Sequence, residues 1–201
     1  MNQFDNDNGH QDEKNHTQDE SLVALDINAA DSISDEVLDK FYDREQLLSI
    51  MMATLDDMDG RINDGLTLPY FADIDSELWQ DKPKTLDIYI TDEIEGQALN
   101  LEARDKDYAT NILSYPSELP AAVIELMPTL PLGELIVCHD VMVREAREQD
   151  KTVVQHISHL LIHGILHLLG FDHELGDAEQ EEMERFEIEI LAGLNLPNPY
   201  L

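Results

Sequence analysis

The sequence predicts a single α+β domain: a small mixed β-sheet packed by about five helices, with a histidine-bearing helix at its centre. Three observations lead there. Short apolar runs with strand-like alternation interleave with longer stretches of helical period. The stretch from Thr152 to Leu169 is apolar between its histidines, as a buried helix is. At 201 residues the chain is long enough for one substantial core, and no apolar run is long enough to span a bilayer.

Residues 1–20 are rich in Asn, Asp, Gln and Glu with one large apolar residue, and read as a disordered acidic tail ahead of a domain at 21–201. They lack the apolar core of a signal peptide. Leu22-Val23-Ala24-Leu25-Asp26-Ile27 reads as the first strand. Ser34 caps one helix reaching about Met58, with Val37, Leu38, Phe41, Tyr42, Leu48, Met51, Met52 and Leu55 at roughly helical spacing. Residues 59–83 carry many breakers and read as a loop-rich insertion with a short helix near Ser76-Trp79. Leu86-Asp87-Ile88-Tyr89-Ile90 alternates as a strand. Asp92 caps a helix ending near Arg104. Ala109 to Tyr115 is a second strand-like run, stopped by Pro116, and Pro120, Pro128 and Pro131 mark a loop. Glu134 to Cys138 is a further strand, followed by a helix over about Asp140–Gln149. The last helix starts at Asp177 with Gln180 three residues on, and Gly193 and Pro197 stop it.

Composition bounds the function. The hydrophobic fraction of 42% excludes a wholly disordered chain. The single cysteine, Cys138, cannot form an internal disulfide; it reads as buried and inert, and with the absent signal peptide it suits a reducing cytoplasm. The formal net charge of −32 argues by itself against nucleic acid. Its distribution is uneven: residues 1–60 hold sixteen acids and three bases. Arg104, Lys106, Arg144, Arg147 and Lys151 fall near the segments that would line a site, so a local basic strip is one arrangement open to the chain.

The chemistry concentrates in Leu160-Leu161-Ile162-His163-Gly164-Ile165-Leu166-His167-Leu168-Leu169-Gly170-Phe171-Asp172-His173. His163 and His167 lie one helical turn apart on one face. Gly170 can take the left-handed conformation that ends a helix, which lets the chain return His173 as a third ligand. Three protein ligands leave one tetrahedral position open, the arrangement of a catalytic zinc rather than a structural one. The spacing equals that of the metzincin proteases, whose general base directly follows the first histidine. Gly164 stands there instead, so the ligand scaffold is present and the protease base is missing. His156 and His159, on the same helix, read as packing or support for the ligands. His139, just after a strand, reads as solvent-exposed, with the cleft as the alternative, and Asp172 either orients a ligand or shapes the turn.

At these residues the chain resembles the YbeY family of bacterial endoribonucleases and rRNA maturation factors. The signature is His163-Gly164-x-Leu166-His167-Leu168-x-Gly170-Phe171-Asp172-His173, with Phe171 where Tyr is usual. Upstream, Leu99-Asn100, Arg104, Lys106-Asp107 and Thr110 to Pro116 resemble the family's second block, and Leu132 to Cys138 its third. Ala103 and Tyr108-Ala109 depart from the pattern. The resemblance implies one zinc ion on His163, His167 and His173, and an RNA-cleaving role for Arg104, whose guanidinium suits a phosphate. It implies a cytoplasmic, zinc-dependent, single-strand-specific endoribonuclease that matures the 3′ end of small-subunit rRNA and serves ribosome quality control. The expected partners are single-stranded rRNA and the ribosome or its small-subunit proteins, with no membrane and no DNA. Two rivals remain: a non-catalytic ribosome-assembly factor with structural zinc, and a metalloprotease on the same scaffold.

Overall fold

In the computed structural model, which describes residues 23–201, four strands form one sheet in the order β1-β2-β4-β3. The strands are β1 (Val23–Ala29), β2 (Lys84–Thr91), β3 (Ile112–Pro116) and β4 (Leu130–Cys138). β1, β2 and β4 run parallel and β3 pairs antiparallel with β4, so the sheet is mixed. The expected acidic tail at 1–20 lies outside the described residues.

Lys84, Leu86, Ile88 and Ile90 of β2 are buried while Asp87 is exposed, so one face of the sheet is covered and the other meets solvent. β4 keeps its inner face apolar through a bulge. Thr85 pairs with Pro131 but Leu86 pairs with Gly133, leaving Leu132 unmatched. The extra residue flips the alternation, so Leu130 and Leu132 point inward before it and Leu135 and Val137 after it. Gly133 makes this possible at φ 140°, where a Cβ would meet the Tyr115 carbonyl oxygen at 2.2 Å. The three prolines therefore do not mark one continuous loop: Pro131 sits in β4, beyond the end of its pairing with β3, where no hydrogen bond is required of it on that side.

Eight α-helices occur among the described residues, against the five expected, because short ones were hidden. The single helix expected from Ser34 to Met58 is two, α1 (Asp35–Phe41) and α2 (Arg44–Asn63). Tyr42 leaves helical space at φ −124°, ψ 42°, and the Asp43 side chain caps α2 by accepting from Gln46 N–H at 2.9 Å. α3 (Ser76–Asp81) begins at the expected position, and α4 (Glu93–Arg104) is capped by Asp92 as read from the sequence. α5 (Ala121–Leu126), starting after Pro120, lies where a loop was expected. α6 (His139–Glu148), α7 (Val153–Leu169) and α8 (Asp177–Gly193) follow. α7 is the core helix, packed on β3 and β4 and flanked by α2, α6 and α8. No single helix among the described residues is long and apolar enough to cross a membrane.

Candidate metal centre and its cleft

α7 is held at both ends. Thr152 Oγ1 accepts from Gln155 N–H and Gln155 Oε1 accepts from Thr152 N–H, a reciprocal cap. Gly170 closes the other end at φ 100°, where its N–H donates to the His167 carbonyl. A Cβ there would sit 2.8 Å from Pro69 Cβ and Tyr70 N, because the 3₁₀ turn Pro69–Phe71 wedges against the helix end. The chain reverses on this glycine and brings His173 back to the face that carries His163 and His167.

The three imidazoles converge. The His163 and His167 rings lie 4.6 Å apart by centroid, and each lies 5.1 Å from His173. One nitrogen from each falls within 4.8 Å of the others. His163 Nε2 and His167 Nε2 are 3.1 Å apart, close to the roughly 3.3 Å that separates two nitrogens bound at about 2.05 Å to one tetrahedral zinc. His173 Nδ1 is buried with no hydrogen-bonding partner among the described residues. Burial, then the charges of His163 and His173, lower the His167 pKa to about 4, so its imidazole is neutral at neutral pH. The donor set thus fits a nitrogen-binding divalent ion.

Behind the cluster lies a residue that the sequence did not single out. Glu187 of α8 is wholly buried. Its Oε1 accepts from His163 Nδ1 at 2.8 Å, and its Oε2 accepts from His159 Nε2 at 2.9 Å and from the Tyr200 hydroxyl. Burial alone would push this carboxyl up. The hydrogen bonds and charges of His159 and His163 outweigh it and hold Glu187 at about 2. An ionised Glu187 requires the His163 proton on Nδ1, which leaves the Nε2 lone pair facing the cluster. A second, partly buried contact repeats the theme away from the ligands: Glu145 of α6 accepts from His156 Nε2 at 3.1 Å and from Asn111 Nδ2 at 2.8 Å. His159 thus shares the buried carboxylate that His163 uses, whereas His156 pairs with Glu145 apart from the cluster and packs within the fold.

In front of the cluster is a cleft of about 610 Å³, walled by β3 and lined by His163, His167, His173, Arg104, Tyr70 and Ser114 among others. Arg104 reaches it from the end of α4, where Asp105 terminates the helix in the left-handed region at φ 57°. Its Nη2 pairs with Glu174 Oε1 at 2.6 Å. That hydrogen bond and the guanidinium charge hold Glu174 below the usual carboxylate range. Asp172 shapes the turn, accepting from Glu174 N–H at 2.9 Å.

Of the five basic residues expected near the site, Arg104 lines the cleft and Lys106 lies near its partner Glu174. Arg144 pairs with Glu93, and the Lys151 amine is held by the Pro199 carbonyl and Gln149 on the far side of the histidines. Arg104 is the one Lys or Arg lining the cleft among the described residues. His139 is not solvent-exposed: it lies half-buried against Phe41 and Tyr42, with Nδ1 hydrogen-bonded to the Tyr42 hydroxyl at 3.0 Å. Cys138 is buried and burial pushes its thiol pKa up, in keeping with an inert side chain.

With this geometry in view, a sequence model of the family described as endoribonuclease YbeY matches residues 69–195. The chain belongs to the YbeY family. A relative from Psychrobacter cryohalolentis named endoribonuclease YbeY is 77% identical over 154 residues, covering 77% of this chain and 99% of its own. One of the same name from Psychrobacter arcticus is 73% identical over 187 residues, covering 92% and 91%. An Acinetobacter baumannii YbeY is 55% identical over 106 residues, covering 53% of this chain and 67% of its own. A solution structure from Thermotoga maritima aligns over 86% of this chain and 92% of that one at 22% identity and a TM-score of 0.42. The YbeY match spans the three histidines, Arg104 and Glu187 alike.

Proposed function

We propose that this chain is a zinc-dependent endoribonuclease that cuts single-stranded RNA, acting in the cytoplasm on the 3′ end of small-subunit rRNA and in ribosome quality control. The observation that carries the reading is that three convergent imidazoles and one guanidinium line a single cleft. Membership of a family named for endoribonuclease activity supports the choice of RNA.

His163, His167 and His173 would hold the ion. When bound, zinc supplies Lewis acidity and lowers the pKa of water toward about 7. Arg104 binds the substrate phosphate through its two-pronged donor face, exchanging Glu174 for a phosphate oxygen. It thereby orients the phosphodiester against the histidines and stabilises charge that develops on it. The position of the protease base carries no side chain, since Gly164 faces the sheet rather than the cleft. The end groups of the product separate two routes: a 2′,3′-cyclic phosphate excludes water as the direct nucleophile.

The deciding experiment is cleavage of single-stranded rRNA fragments by the wild type, His163→Ala and Arg104→Ala, with chelation and zinc add-back. Loss of cleavage in both variants is expected, and full activity of either in contaminant-free protein refutes the assignment. A second reading, a ribosome-assembly factor with structural zinc, is favoured by the net charge of −32 and by a cleft lined by one Arg and no Lys among the described residues. It predicts metal and ribosome binding without turnover.

A further inference from the structure

We propose that Glu187 is the positioning residue of the metal centre, deciding which of the α7 histidines face the ion and through which nitrogen; the inference rests on the metal reading above. His159, His163 and His167 follow one another at single-turn intervals along one face of α7. Any two neighbours in that row have the spacing of a ligand pair. Spacing therefore does not say why His163 and His167 join His173 while His159 does not. The Glu187 carboxylate does. Its Oε2 takes the Nε2–H of His159 at 2.9 Å and so occupies that nitrogen, while His159 Nδ1 is buried and His159 stays outside the cluster. Its Oε1 takes the Nδ1–H of His163 at 2.8 Å, which turns Nε2 toward His167. The Tyr200 hydroxyl donates to the same Oε2, and its ring stands edge-on to His159 with centroids 5.5 Å apart. One oxygen thus orients a ligand while the other is anchored by two side chains. The carboxylate is wholly buried, where hydrogen bonds are electrostatically stronger than in water. A carboxylate behind a ligating imidazole fixes its tautomer and ring orientation and raises its basicity.

Glu145 provides an internal control. It is a carboxylate on a neighbouring helix that accepts from another α7 histidine, His156, which is not in the cluster. Glu145 is partly exposed and Glu187 wholly buried, so folding is followed in both variants to separate a loss of fold from a change at the cluster.

The test uses cobalt(II) as the probe, titrated into metal-free full-length wild type, Glu187→Gln and Glu145→Gln, with folding monitored by circular dichroism. Affinity is read by chelator competition and ligand geometry from the visible absorption band. Glu187→Gln is expected to bind about 10- to 100-fold more weakly with a shifted band, while Glu145→Gln keeps the wild-type affinity and band. Wild-type values in Glu187→Gln, or equal losses in both variants, overturn the proposal. Wild type that binds no cobalt overturns the metal reading and this inference with it. A further measurement needs no variant: long-range ¹⁵N–¹H spectra of the zinc-loaded wild type should show His163 protonated on Nδ1 and His159 on Nε2. A His163 protonated on Nε2 overturns the proposal.

Discussion

The Arg104 guanidinium lies 2.6 Å from Glu174 Oε1, so the one Lys or Arg that lines the cleft among the described residues is already paired with an acid from the turn that follows the histidines. The pair is well exposed, and such pairs contribute about 0–1 kcal/mol to stability. Glu174→Gln should therefore leave thermal unfolding nearly unchanged. It should also release Arg104 for phosphate and lower the KM for single-stranded RNA by up to about 5-fold, the equivalent of about 1 kcal/mol. Steady-state cleavage kinetics check this, and an unchanged or raised KM would show that Glu174 does not compete with substrate.

Gly164 is a packing position. A Cβ there would lie 2.8 Å from Leu135 Cδ2 and 2.9 Å from Ile112 Cδ1, where α7 presses on the sheet. Both contacts are ends of flexible side chains, so Gly164→Ala should fold at a cost of about 1–3 kcal/mol, read by denaturant unfolding. Gly164→Glu should not supply a general base, since its side chain starts into the sheet. Peptidase activity in that variant would contradict the placement.

The metal-free protein should lose stability as pH falls from about 6.5 to about 4. His167 has an ordinary value of 6.5 and is held at about 4 in the fold, chiefly by burial. The unfolded chain therefore takes up the proton first as pH drops, and stability falls through that window. Urea unfolding at several pH values measures the slope. His167→Asn should flatten it, and an equal slope in that variant would remove His167 as its source.

Zinc should stabilise the fold through the three histidines. At about a hundredfold excess over its Kd, a ligand that binds only the folded state adds about 2.7 kcal/mol. The corresponding rise in Tm should appear in the wild type, reverse on chelation and vanish in His173→Ala. Retention of the full shift in His173→Ala would exclude that residue as a ligand.

On the solvent face of the sheet, Asp26, Asp87 and Glu134 stand side by side across β1, β2 and β4. Burial, and then the charge of Asp87, raise the pKa of Glu134. Like charges paired across strands destabilise, so Asp87→Asn should raise stability by about 0.2–1 kcal/mol. The gain should shrink at acid pH, where the row protonates in the parent protein as well.

Most of the site was legible because it is local. The i, i+4 histidines, the glycine that ends α7 and the return of His173 all lie within eleven residues, and backbone rules alone bring them together. Arg104 was legible only through family resemblance, since nothing in its own surroundings distinguishes it from a surface arginine. Glu187 was hidden within an acidic helix. Its neighbours Glu184 and Glu189 have the same chemistry, and only the docking of α8 on α7 buries one of them against two imidazoles. Tyr70 was hidden in a breaker-rich stretch read as a loop, yet it forms part of the cleft wall.

The order of the strands and of the longer helices, the one-sided apolar pattern and the three-histidine spacing are short-range features, and the sequence by itself determined them. The break at Tyr42, the bulge that admits Pro131 into β4, the burial of His139 and the choice of Glu187 over its neighbours were decided by tertiary structure. Each depends on contacts between segments far apart in the chain, and such contacts leave no periodic trace in either segment alone.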